Sequence, residues 1–431
     1  MADIKIHPSK LKGEVKVPPS KSMAHRAIIC AALSDGYSTI SNIDYSDDIK
    51  ATIDGMVALG AKVEKGENCV TVCGVYNKEN KSENKRVIDC NESGSTLRFL
   101  VPISLLFEGK SNFIGKGNLG KRPLTTYYNI FDKQDIKYSY TEGHLNLNIS
   151  GKLKADTFEL EGNISSQFIT GLLFTLPLLN EDSKIIITTE LESKGYIDLT
   201  LMAMKDFGVE IINNNYREFI IKGNQRYEAK DYRVEGDYSQ AAFFLSADAI
   251  GNNINVLDLD INSLQGDKEV IDILERMNVK FISENNSVKG ECKHSLKATV
   301  IDGAQCPDII PVLAAVAAVS EGRTEIINAS RLRIKECDRL SAVKSELEKL
   351  GAKIVEKEDG LIIDGVKTLK GGVETWSHKD HRIAMTLAIV STRCEEPIII
   401  KDYECIAKSY PNFFEDFKML GGIIHEWNVG K

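Results

Sequence analysis

The chain has 431 residues, more than one hydrophobic core usually holds, so two domains of about 200 residues each are expected. Its 54 Lys and Arg against 62 Asp and Glu give a formal charge of -8, which excludes a broad basic face for nonspecific nucleic-acid binding; an anionic ligand needs locally concentrated positive charge. Nine cysteines without CxxC spacing, an N-terminus (MADIKIHPSK) with no signal-type apolar stretch and a longest apolar run of 11 residues (Ile309 to Val319) argue against a disulfide framework, a zinc site and a membrane span, and predict a soluble cytoplasmic protein with reduced thiols.

In chain order, the first informative stretch is VPPSKSMAHRAIICAAL. Ala24, Ala27, Ile28 and Ala31 mark a buried helical face, and Pro19 with Ser20 supplies a start signal. Lys21, Ser22 and Arg26 then crowd the first turn, where unpaired backbone N–H groups point outward and suit an anion. NESGSTLRFL opens a second helix, with Gly94 allowing close backbone approach and Arg98 one turn on. GKGNLGKRPLTTYY reads as a glycine-rich loop carrying Lys121 and Arg122. EGNISSQFITGLLF offers Ser165, Ser166 and Gln167 ahead of an apolar helix. Farther on, QCPDIIPVLAAVAAV puts Asp308 at a helix mouth, either as a cap or as a general base. In RLRIKECDRLSAVKSEL, Lys335 and Arg339 stand four apart, a repulsive pair on a helix that Asp338 or an anion would relieve; Glu336 is left to donate or accept a proton. SHKDHRIAMTLAIV adds Asp380, His381 and Arg382, and CIAKSYPNFF adds Lys408. Each mouth alone reads equally well as an ordinary capped helix.

A repeat organises these stretches. Gly60, Asp135, Gly208, Asn278, Gly351 and Gly421 recur every 70 to 75 residues, each where a helical pattern gives way to an alternating one. Ser22, Ser95, Ser166, Ser239, Asp308 and Asp380 recur every 69 to 73 residues at helix openings. Both series describe six units, three to a domain, with helix starts that can gather at one face.

PPSKSMAHRAII, SGSTLRFL, GKRPL, SSQFITGLL, KGYIDLTL, VEGDYSQAAFFL, PDIIPVLAAVAA, RIKECDRL, DHRIAM and AKSYPNFF, in this order, closely resemble the EPSP synthase family of enolpyruvyl transferases. The resemblance implies an α/β fold of two inside-out α/β barrels, each of three βαβαββ-like repeats. Domain I would comprise residues 1–19 plus 235–431 and domain II residues 20–234, with the active site in the interdomain cleft and closure on ligand binding. It also implies transfer of the enolpyruvyl group of phosphoenolpyruvate to the 5-hydroxyl of shikimate 3-phosphate, by a monomer, without metal or cofactor and without nucleic-acid or membrane partners. By motif, Lys21, Ser22, Arg26, Ser165, Ser166, Gln167, Tyr196, Asp308 and Lys335 resemble the shikimate 3-phosphate site. Lys21, Gly94, Arg122, Gln167, Arg339, Arg382 and Lys408 resemble the phosphoenolpyruvate site. Asp308 would take the hydroxyl proton, and Glu336 or Lys21 would protonate the methylene carbon. Arg331 stands where the family often has Asn, so no contact is carried over to it.

Overall fold

Alternation makes HLNLNIS a strand: in His144–Ser150 the side chains of Leu145, Leu147 and Ile149 are buried between exposed neighbours. The helix Ile310–Ala318, IPVLAAVAA, is apolar all round and accordingly buried at every residue. These elements are seen in a computed structural model that describes residues 3–76, 85–292 and 295–427. The chain divides into two compact units, Pro19–Val234 and the discontinuous pair Met1–Pro18 with Glu235–Lys431. It is a mixed α/β fold.

The described strands form six four-stranded sheets, three in each unit, all with one internal order. In the sheet of Lys85–Asp89, Lys110–Ile114, His144–Ser150 and Lys137–Thr141, the first pair is parallel and the other two pairs are antiparallel. In three of the sheets, sequence-distant strands complete this order. Tyr232–Arg233 pairs with Tyr37–Ser41, Lys12–Lys16 with Asn253–Leu257, and Asp3–His7 lies between Ile398–Lys401 and Ile423–Trp427.

In the discontinuous unit, the helices Tyr238–Ala249, Ile310–Ala318 and His381–Ser391 are buried along their whole length and pack on one another. Each also packs against strands of a different sheet, so the helices form the centre and the sheets surround them. In the Pro19–Val234 unit the corresponding core holds Lys21–Ala32, Gly94–Ser104 and Ser166–Thr175. The last two approach closely at Gly171, where a Cβ would collide with the Arg98 carbonyl and the Tyr127 hydroxyl.

Gly60, Asp135, Gly208, Asn278, Gly351 and Gly421 all have positive φ, between 56° and 110°, and each sits between a helix end and a strand. Gly adopts this left-handed turn without steric cost, and Asn and Asp tolerate it. The helix starts lie slightly ahead of the positions expected. Ser20, Ser93, Ser165 and Asp237 are the capping side chains, one or two residues before Ser22, Ser95, Ser166 and Ser239, because a cap lies outside the helix and reaches forward to the second or third N–H. Among the described residues, no helix is long and apolar enough to cross a membrane. Overpacking at the Gly171 contact is expected to cost about 1–3 kcal/mol, so Gly171→Ala should lower the urea midpoint of unfolding without changing its slope.

Candidate active site

In the discontinuous unit the candidate residues converge on one guanidinium. Arg339, 1% exposed, donates from Nη1 to Asp308 Oδ1 (2.8 Å), from Nη2 to Glu336 Oε2 (2.8 Å) and from Nε to Asp380 Oδ2 (2.8 Å). Lys335 Nζ reaches the same Asp308 oxygen at 3.2 Å, and Lys408 Nζ lies 3.3 Å from Glu336 Oε1. Arg382 donates to the Asp308 carbonyl (2.9 Å) and to Ser239 Oγ (2.7 Å), and its Nη2 lies 3.4 Å from Asp308 Oδ2. Ser239, Asp308 and Arg382 stand at the starts of the three central helices, so those starts meet at this cluster.

Two local expectations change here. Asp308 does not stand at the cap position of the Ile310–Ala318 helix, which Ile309 occupies; its carboxylate is turned to the cations. Nor does Asp338 separate Lys335 from Arg339. It caps the Arg339–Lys349 helix through Ser341 N–H and pairs with Arg333 at 2.8 Å. Lys335 follows the short 3₁₀ turn Ser330–Ile334 while Arg339 begins the next helix, so the two do not share a helical face, and Asp308 and Glu336 do the neutralising.

Burial works against the Asp308 carboxylate, yet the charges of Arg382, Lys335 and Arg339 outweigh it and hold this carboxyl well below the usual range. Burial also drives Lys335 down to about 8, with Asp308 opposing and Arg339 and Arg331 assisting. Asp267, buried close by, is pushed up to about 6 by burial and by the charge of Asp308, against the pull of Arg382.

The Pro19–Val234 unit holds the other candidates. Ser20 caps Lys21–Ala32, placing Lys21 at its first position, where Nζ bonds Asp48 at 3.0 Å. Arg26 is buried and donates to three neutral oxygens: Ser22 O (2.6 Å), Tyr196 O (2.7 Å) and Thr200 Oγ1 (2.9 Å). Burial lowers Arg26 to about 10. At the neighbouring helix starts, Gln167 accepts from Arg98 (2.8 Å) and donates to Ser95 Oγ (2.9 Å), and Ser165 caps through Gln167 N–H. Ser166 is buried beside them. A Cβ on Gly94 would stand 2.5 Å from Arg122 Nη1, so the absence of a side chain lets that guanidinium approach the helix start. The glycine-rich stretch forms a 3₁₀ turn, Gly117–Lys121, in which Lys121 is exposed. A buried chain joins the two groups: His25 Nδ1 bonds Thr52 Oγ1 (2.7 Å), which bonds Thr96 Oγ1 (2.7 Å), which bonds Ser93 Oγ (2.8 Å).

Asp48, Thr200 and Asp267 were not among the expected site residues. Asp48 follows Ser46 and Asp47 and reads locally as helix-start acid; nothing nearby signals Lys21. Thr200 sits on Lys194–Asp206, 174 residues from its partner. Among the described residues no group of three or more His, Cys, Asp or Glu side chains is placed to hold a metal ion.

A sequence model of the EPSP synthase (3-phosphoshikimate 1-carboxyvinyltransferase) family matches residues 6–417. A Clostridium beijerinckii protein described as 3-phosphoshikimate 1-carboxyvinyltransferase is 69% identical, with 100% of both chains covered, and one of the same description from Clostridioides difficile is 68% identical over the same shares. Among solved structures, an EPSP synthase from Acinetobacter baumannii superposes with a TM-score of 0.84 at 26% identity, covering 99% of this chain and 100% of that one. The enolpyruvyl transferase NikO from Streptomyces tendae shares the fold, with a TM-score of 0.80 at 15% identity and 100% and 99% coverage.

Burial holds His25 down at about 3, so between that value and 6.5 the unfolded chain carries a proton that the folded one does not. Acid therefore favours unfolding through this group. On moving from pH 7.5 to pH 5, the wild-type protein should lose about 2 kcal/mol more stability than His25→Gln in urea titrations. Equal losses would mean that folded His25 takes up the proton.

Proposed function

The chain belongs to the EPSP synthase family, and we propose that the residues gathered in its two units bind the substrates of that family and move the protons of its reaction. The enzyme transfers the enolpyruvyl group of phosphoenolpyruvate to the 5-hydroxyl of shikimate 3-phosphate and releases phosphate, a step of aromatic amino acid biosynthesis. Lys21, Ser22, Arg26, Ser165, Ser166, Gln167 and Tyr196, with Asp308 and Lys335, hold shikimate 3-phosphate. Arg26 suits the phosphate because its buried charge is met by neutral oxygens in the Pro19–Val234 unit. Lys21, Gly94, Arg122, Gln167, Arg339, Arg382 and Lys408 hold phosphoenolpyruvate, whose phosphate and carboxylate match the paired donors of arginine.

The observation that carries this reading is the sharing of Asp308 and Glu336 among Lys335, Arg339, Arg382 and Lys408. An anionic substrate that accepts from these cations takes donors away from the two carboxylates and offsets the positive field on them. Their proton affinity then rises when substrate is present. Asp308 takes the proton of the attacking hydroxyl, and Glu336 or Lys21 gives one to the methylene carbon as the tetrahedral intermediate forms. Lys335, at about 8 and 3.2 Å from Asp308, is placed to share that proton near neutral pH.

The same reading extends to architecture and assembly. Each unit is an inside-out α/β barrel of three repeats, supported by the common strand order of its sheets and the six left-handed helix ends. The enzyme works as a monomer in the cytoplasm.

The test is phosphate release from phosphoenolpyruvate that depends on shikimate 3-phosphate, with UDP-N-acetylglucosamine as the control acceptor. Asp308→Ala should lower kcat about 10²–10⁴-fold while calorimetry still detects shikimate 3-phosphate binding, and Glu336→Gln should alter the pH profile and the amount of trapped intermediate. Release driven equally by the control acceptor, or an Asp308→Ala enzyme with wild-type kcat, would overturn the assignment.

A further inference from the structure

The Arg339–Lys349 helix grips one turn of chain at both of its ends. At its start, Arg339 holds Asp380. Two turns later Glu346, 2% exposed, accepts from Trp376 N–H (2.9 Å) and lies 2.8 Å from His378 Nε2. Lys349 Nζ binds both of its oxygens, at 2.9 and 2.7 Å. Burial opposes the Glu346 charge, but the His378, Lys349 and Trp376 bonds prevail and hold the carboxyl at about 2.

The turn needs such a hold. His378 and Lys379 are consecutive left-handed residues, with φ of 52° and 56°, a conformation that side-chain-bearing residues resist. The turn also has three outlets. It ends in Asp380, the partner of Arg339; Arg382 lies two residues on, its N–H capped by the Asp380 carboxylate. Ser377 Oγ and Trp376 Nε1 both donate to Asp402, at 3.0 and 2.9 Å, immediately ahead of the 3₁₀ turn Tyr403–Lys408 that carries Lys408.

We infer that Glu346 is a positioning residue whose grip on Trp376 and His378 sets Arg339, Arg382 and Lys408 in register for phosphoenolpyruvate. This rests on the reading above that those three cations bind phosphoenolpyruvate. Glu346 touches no reacting atom. Without its carboxylate, the strained turn relaxes and the three cations lose their common reference, whereas seven of the nine shikimate 3-phosphate contacts proposed above, all but Asp308 and Lys335, belong to the Pro19–Val234 unit and do not depend on it.

The experiment compares wild-type enzyme with Glu346→Ala, Glu346→Gln, His378→Ala and, as a control, Lys349→Ala, which removes a half-exposed partner of Glu346 away from the turn. Steady-state kinetics varying each substrate should show KM for phosphoenolpyruvate raised tenfold or more in Glu346→Ala and severalfold in His378→Ala. KM for shikimate 3-phosphate should stay within twofold, Glu346→Gln should be partly rescued, and Lys349→Ala should match wild type. A merely structural role would lower the melting temperature and the active fraction but leave both KM values unchanged. If Glu346→Ala does not fold, His378→Ala reads the same contact. A KM for phosphoenolpyruvate within twofold of wild type in every folded variant, or equal rises for both substrates, overturns the inference. A wild-type enzyme without activity would instead overturn the reading it rests on.

Discussion

Burying Arg339 is the constraint on which the discontinuous unit depends. A guanidinium cannot shed its charge, and taking it out of water is costly unless carboxylates meet it with good geometry. Asp308, Glu336 and Asp380 do so from three separate stretches of chain, and Asp380 is wholly buried. One side chain thereby holds the starts of the Ile310–Ala318, Arg339–Lys349 and His381–Ser391 helices in register. The same arrangement holds positive charge in an acidic protein without leaving it bare.

The Pro19–Val234 unit handles its buried guanidinium differently. Arg26 is met by two carbonyls and a threonine hydroxyl, beside the rings of Phe99 and Tyr196, whose centroids lie 5.6 and 6.0 Å away. Neutral oxygens orient a charge without cancelling it. One unit thus meets its buried guanidinium with carboxylates and the other with neutral oxygens.

Much of this was legible in the sequence because its signals are local. Gly60, Asp135, Gly208, Asn278, Gly351 and Gly421 announce helix ends through a backbone requirement that needs no tertiary partner. Lys335, Glu336, Arg339, Arg382 and Lys408 stood out by residue type and by resemblance. What could not be read was pairing across distance. Asp48 with Lys21, and Asp380 with Arg339, are joined by folding over 27 and 41 residues, and no spacing encodes that. The misreading of Asp338 has the same origin: a carboxylate one residue from Arg339 looks like its partner until the helix start turns it toward Ser341 and Arg333.

The strand Asp3–His7 is made before the whole Pro19–Val234 unit, yet both of its neighbours, Ile398–Lys401 and Ile423–Trp427, are made after it. During synthesis the continuous Pro19–Val234 unit has all of its own strands long before the other can close. The leading segment therefore waits with an unsatisfied edge while an entire unit folds behind it. Two features suit that wait: the strand is short, and it carries Asp3, Lys5 and His7 on one face, so that it offers little apolar edge before its two flanking strands are made.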